Sequence, residues 1–167
     1  GQEAGHDFHI LGSVMQVNES QKTILFEPML AHFGGILKGI CVAIWGLAFK
    51  PETDDIREAP ALYMIDKLLD AGAEIVAFDP EAMPNVKSKL GERISYASRA
   101  MDAIEGADCL LICTEWAAFR TPDFEVMASK MKGKVIFDGR NLYETSKLAT
   151  LGWTYRSIGR PTMDAQP

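Results

Sequence analysis

The sequence predicts an α/β fold: a doubly wound, mostly parallel Rossmann-like sheet with helices on both faces, preceded by a long N-terminal helix. Three observations carry this. The runs "ICVAIWGL", "AEIVAFDP", "DCLLICTEW" and "KVIFDGRN" have apolar cores, as strands buried between two layers do. The segments between them carry apolar residues at helical spacing. The two kinds alternate from residue 40 to residue 159, the pattern of parallel strands joined by crossover helices.

Taken in order, the chain begins with helical spacing. Phe8, Leu11, Met15, Leu25 and Met29 recur at intervals of roughly three and four around the polar Asn18 and Gln21. Pro28 falls inside this pattern and predicts a kink or a break near it. Gly34 and Gly35 are expected to end the helical region. At Ile40 the rhythm changes to the first strand, followed by the charged loop "AFKPETDDIREAP". Pro60 suits a first helical turn and Gly72 a C-terminal cap, with Ala61, Leu62, Ile65, Leu68 and Leu69 as the buried stripe.

"AEIVAFDP" is the second strand. The polar "EAMPNVKSKLGE" admits a short helix at most. "RISYAS" is a third strand, "SRAMDAIEGA" a short helix and "DCLLICTEW" a fourth strand. A helix starting near Thr121 or Pro122 leads to the fifth strand, "KVIFDGRN". A short helix over "YETSKLATLG" and a last strand, "TYRSIG", complete the sheet. The tail from Pro161 carries no pattern.

Composition narrows the function classes. The chain has 167 residues, enough for one domain with a sizeable core and an extra element. Its 17 basic and 23 acidic residues give a net charge of −6, which argues against a nucleic-acid binder. A small anionic ligand is compatible, since a few local cations suffice to hold one. The three cysteines, Cys41, Cys109 and Cys113, are too few for a disulfide framework. Cys109 and Cys113 share one face of a buried strand and read as reduced core thiols. The expected location is the cytoplasm, and no membrane-spanning apolar run is present in these residues.

Ligands of open α/β sheets bind outside the carboxyl ends of the strands. That rule gathers Lys50, Arg57, Asp79, Thr114, Glu115, Trp116, Asp138 and Arg140 as candidates for one crevice. Lys50 and Arg57 either pair with Asp54, Asp55 or Glu58, or hold an anion, Lys50 as a point charge and Arg57 as a bidentate fork. One of Asp54 and Asp55 is expected to cap the following helix and the other to pair with a cation. Arg140, after Gly139, either pairs with Asp138 or brings a second cation to the crevice. Asp79 stands where dinucleotide folds keep a ribose-binding acid, but no glycine fingerprint accompanies it, so a plain Asp-Pro turn is expected. His6 and His9 lack further metal ligands, and no metal site is expected.

The strings "GLAFKPETDDIREAP", "TEW" and "FDGRN", in that order on a parallel sheet, resemble the UDP-glucose/GDP-mannose dehydrogenase family. "VNESQK" is similar to the Asn-x-x-Gln stretch of that family's long central helix. The resemblance spans about Phe8 to Gly159, and "TEW" and "FDGRN" tilt it towards the branch acting on UDP-glucose. It implies three regions: 1–38 as the end of the central dimerisation helix region, 39–160 as the C-terminal UDP-sugar-binding Rossmann-like domain, and 161–167 as a tail.

By that resemblance, members oxidise the C6 alcohol of a nucleotide sugar to a carboxylate with two NAD, through a covalent cysteine intermediate. Phe49 and Lys50 would line the substrate pocket, Arg140 would close on the site, and Arg57 would reach the NAD. A homodimer through the N-terminal helix is implied. The 167 residues contain neither a GxGxxG motif nor the family's cysteine motif. The chain is therefore expected to be a fragment without catalytic residues of its own, inactive alone, with NAD held mainly by another domain. The same portion of a UDP-N-acetyl-hexosamine or GDP-mannose dehydrogenase is the neighbouring reading. A non-enzymatic doubly wound binding or assembly domain is the alternative from another class.

Overall fold

In the computed structural model, which describes residues 20–162, six parallel strands form one sheet in the order β3-β2-β1-β4-β5-β6. The strands are β1 Cys41–Trp45, β2 Glu74–Phe78, β3 Ser95–Tyr96, β4 Cys109–Ile112, β5 Val135–Asp138 and β6 Thr154–Ser157. The helices are α1 Phe26–His32, α2 Pro60–Asp70, α3 Met83–Leu90, α4 Ala100–Ala103, α5 Phe124–Lys130 and α6 Thr145–Thr150. Short 3-10 turns lie at Gly91–Arg93 and Ala117–Phe119.

The central strands are apolar on both faces because both faces are covered. All four residues of β4 and of β5 are buried, as are Val42 to Trp45 of β1. Ala43 lies beside Val76 on one side and Leu110 on the other. From β1 the chain winds outwards to β3, then returns to β4 and winds the other way. The switch point therefore falls between β1 and β4, and the carboxyl ends of all six strands meet one edge.

Helix α2 buries Ala61, Leu62, Met64, Ile65 and Leu68. Ile65 and Leu68 are fully buried, each worth about 2–3 kcal/mol of burial. The helix ends as its sequence predicts: Gly72, at φ +88°, lets Ala73 N–H reach back to the Leu68 carbonyl at 3.0 Å. The "MPNVKSKL" segment is a fuller helix than its polarity suggests, since Pro84 sits in the first turn, where its missing N–H costs no bond. Helix α5 starts at Phe124, two residues beyond the expected point. There the Asp123 carboxylate accepts from Glu125 and Val126 N–H, at 3.0 and 3.1 Å.

Most of the N-terminal helical reading, including Phe8, Leu11, Met15, Asn18 and both of His6 and His9, lies outside the described residues. Within them the helical region is interrupted: 20–22 are helical, 23–25 form a turn, and α1 follows. The break precedes Pro28, which takes the third position of α1, and Leu25 and Met29 are buried against the sheet. Gly34 and Gly35, at φ +70° and +86°, end α1.

Candidate functional site

The carboxyl edge of the sheet is held by two buried aspartates. Asp79, 2% exposed, follows β2 and accepts five hydrogen bonds. Its Oδ2 takes Leu47 N–H (2.7 Å), Ala48 N–H (3.0 Å) and Trp116 Nε1–H (3.1 Å). Its Oδ1 takes Glu81 and Ala82 N–H, both at 2.8 Å. The carboxylate thus ties the loops after β1, β2 and β4 together. It is more than an Asp-Pro turn.

Asp138, fully buried at the end of β5, does the same for the next loop. It accepts Arg140 N–H on Oδ1 (2.8 Å), and Leu142 N–H (2.8 Å) and the Tyr155 hydroxyl (2.7 Å) on Oδ2. Burial and the Asp138 charge push the Tyr155 hydroxyl well above its ordinary pKa, so it stays a donor.

Between these anchors, β1 meets β4 closely. Gly46 has φ +93°, and a Cβ there would lie 2.5 Å from Thr114 Cβ and 2.6 Å from Thr114 N. No other residue fits. The Thr114 hydroxyl donates to the Ala48 carbonyl at 2.7 Å. At Gly139 the constraint is proximity alone, since a Cβ would lie 3.1 Å from the Ile112 carbonyl oxygen. The positive φ in "FDGRN" belongs to Asn141, at +56°. Its side chain bonds Ile158 reciprocally: Asn141 Nδ2 donates to the Ile158 carbonyl (2.9 Å) and Ile158 N–H donates to Asn141 Oδ1 (3.0 Å).

The charged loop stands on this frame. Phe49 N–H donates to the Asp55 carbonyl at 2.8 Å, closing the segment 49–55. Phe49 and Lys50 are exposed at its base, Phe49 by 48%. Asp55 accepts the Arg57 side chain in a bidentate fork, from Nε at 3.0 Å and Nη2 at 2.9 Å. Those bonds lower its pKa from 3.8 to about 2. Of the two readings for Arg57, the pairing with Asp55 is the one seen here. Neither aspartate caps α2, whose N-cap is Ala59 with no side-chain cap bond. Glu58 instead pairs with Lys22 and accepts the Tyr63 hydroxyl at 2.9 Å, joining the N-terminal segment to the loop.

The Arg140 side chain does not pair with Asp138, the partner its sequence position suggests. Its backbone N–H goes to Asp138, but its side-chain Nε donates to Glu115 Oε2. It lines a cavity of about 280 Å³ at the ends of β4 and β5, with Lys22, Leu25, Met64, Cys113 and Ile158 among the walls. Phe49, Lys50 and Arg57 do not line it. Of the eight strand-end candidates, Asp79, Thr114, Trp116 and Asp138 are buried frame. Lys50, Arg57 and Arg140 are exposed, and Glu115 is half-buried.

These residues do not form a dinucleotide cradle. Such a cradle offers free backbone N–H groups in the first turn and at the next helix. Here Asp79 occupies the Leu47 and Ala48 N–H groups, and α2 opens with Pro60, which has none. Asp79 itself is turned inward, away from any ribose. The thiols are poor nucleophiles: burial pushes Cys113 up to about 12 and Cys109 further still. Among the described residues, no group of three or more His, Cys, Asp or Glu could hold a metal, and no helix is long and apolar enough to cross a membrane.

Comparison with known proteins is consistent across sequence and fold. Residues 43–145 match the model of the "UDP-glucose/GDP-mannose dehydrogenase family, UDP binding domain". The chain is 42% identical over 165 residues to a UDP-glucose 6-dehydrogenase of Pseudomonas aeruginosa, covering 96% of this chain and 36% of that protein. It is 40% identical over 152 residues to one of Rhizobium meliloti, covering 91% of this chain and 35% of that protein. It thus spans about a third of the length of these curated relatives. Among solved structures, a UDP-glucose dehydrogenase from Pyrobaculum islandicum superposes with a TM-score of 0.72 at 30% identity, over 85% of this chain and 31% of that one. A UDP-D-ManNAc dehydrogenase from Pyrococcus horikoshii superposes with a TM-score of 0.66 at 26% identity, over 85% of this chain and 31% of that one.

Proposed function

The chain belongs to the UDP-glucose/GDP-mannose dehydrogenase family, and from that premise we propose that it is the nucleotide-sugar-binding part of a UDP-glucose 6-dehydrogenase. The whole protein would oxidise UDP-glucose to UDP-glucuronate with two NAD and supply a step of polysaccharide synthesis in the cytoplasm. Residues 39–160 would form the UDP-sugar domain. Residues 1–38 would end a central helix through which two copies pair, and exposed Ile24 and Ile36 beside α1 suit such a contact.

In this reading Phe49 packs on the substrate, and Lys50 and Arg140 oppose its phosphates. Arg57, two residues beyond the closed segment 49–55, reaches NAD held by a different domain. The observation that carries the proposal is the loop itself. Asp79 takes its first two N–H groups, Leu47 and Ala48, while the Lys50 and Arg57 side chains stand at the surface. Such a loop recognises phosphate by side chains rather than by a glycine turn. NAD would supply the hydride acceptor; the residues of this chain bind and orient the nucleotide sugar beside it.

The likeness to the UDP-D-ManNAc dehydrogenase favours a second reading that shares the UDP and differs in the sugar. Backbone amide shifts under UDP and GDP titration test the common part. UDP should move the amides of 48–58 and 139–142 at concentrations where GDP does not. Equal responses, or shifts confined to other loops, contradict the reading.

A further inference from the structure

Arg140 is held at both ends. Its backbone is fixed by Asp138 on one side and by the Asn141–Ile158 pair on the other. Its side chain, 39% exposed, gives Nε to Glu115, itself 21% exposed. The backbone at Glu115 is fixed by its neighbours. Thr114 is buried and bonded to the Ala48 carbonyl, and Trp116 is buried and bonded to Asp79. A carboxylate on so fixed a backbone holds a guanidinium in one orientation. It accepts from Nε, and Arg140 also lines the cavity at the ends of β4 and β5.

Resting on the reading of Arg140 as a phosphate-facing cation, we propose that Glu115 is a positioning residue for it. Glu115 selects the rotamer in which the outer guanidinium edge meets the nucleotide's phosphates. It does not touch the ligand. A flexible arginine would lose rotamer freedom on binding, and Glu115 removes that cost beforehand. Its negative charge next to an anion site would otherwise weaken binding, so the sign of the effect separates positioning from simple electrostatics.

The test uses this chain, with UDP and uridine as probes, and arginine Nε–H signals in ¹⁵N–¹H spectra. The Arg140 signal is assigned by its loss in Arg140→Ala. In Glu115→Ala that signal should move to the free-arginine position and exchange faster with water. UDP affinity should fall about tenfold, the effect of one charge-assisted hydrogen bond, while uridine affinity and the melting temperature stay unchanged. Glu115→Gln, which keeps an acceptor, should recover part of the loss, and Glu115→Ala should add nothing in an Arg140→Ala background. The proposal is overturned by an unmoved Nε–H signal in Glu115→Ala, by tighter UDP binding, or by additive effects of the two alanine changes. Should Arg140→Ala bind UDP as the wild type does, the parent reading fails, and the Nε–H spectrum alone decides whether Glu115 orders the guanidinium.

Discussion

Trp116 donates its indole N–H to the Asp79 carboxylate at 3.1 Å, and that oxygen also holds the Leu47 and Ala48 N–H groups. One buried carboxylate thereby sets the relative positions of the loops that carry Lys50 and Glu115. Asp79→Ala leaves five donors without their acceptor. The expected loss is roughly 3–5 kcal/mol of stability, read as a lower urea midpoint at constant slope. A change below about 1 kcal/mol would mean water replaces the carboxylate at little cost.

Gly46→Ala sets a methyl against Thr114 at 2.5 Å and forces a side chain to φ +93°. Thr114 cannot yield, because its hydroxyl is tied to Ala48. The expected destabilisation is roughly 2–4 kcal/mol. The paired change at Gly34, where nothing lies within 4 Å, carries only the dihedral cost. Equal midpoints for the two variants in thermal unfolding would contradict the close-approach argument.

The Asp55–Arg57 fork has a pH signature. Asp55 is depressed from 3.8 to about 2, so the folded loop favours the carboxylate. Its contribution is present above 3.8 and is lost as pH falls through about 2. The carboxyl ¹³C shift of Asp55 should titrate near 2, and Arg57→Ala should return the midpoint towards 3.8. An unmoved midpoint would show that Arg57 is not its partner in solution.

A protein consisting of these 167 residues should form no NADH from UDP-glucose and NAD. The first-turn N–H groups are taken by Asp79, and burial keeps Cys113, with a pKa near 12, as a neutral thiol. NADH absorbance appearing with purified chain, and disappearing with Cys113→Ser, would overturn this.

How much of this was legible in the sequence depends on the range of the interaction. Continuous apolar runs gave the four central strands, and local signals gave the ends of α2, because burial on two faces and capping are written in neighbouring residues. Lys50, Arg57 and Arg140 stand out by charge and strand-end position alone. What the residues could not reveal was partnership across the chain. Asp79 read as a turn because its donors come from residues 47, 48 and 116 as well as 81 and 82. Arg140 lay two residues from Asp138, yet its side chain chose Glu115, brought alongside by the pairing of β4 with β5. In sequence Gly139 looks like a turn glycine after a strand, whereas the turn dihedral belongs to Asn141 and Gly139 serves the contact with Ile112.

Side-chain cations on the β1 and β5 loops are proposed to recognise the phosphates of a uridine nucleotide. A calorimetric titration of the chain with UDP, repeated with Lys50→Ala and Arg140→Ala, tests it most directly. UDP binding should be measurable and should fall about tenfold or more in each variant, with Arg57→Ala leaving it unchanged. UDP binding of wild-type strength in both Lys50→Ala and Arg140→Ala would contradict it.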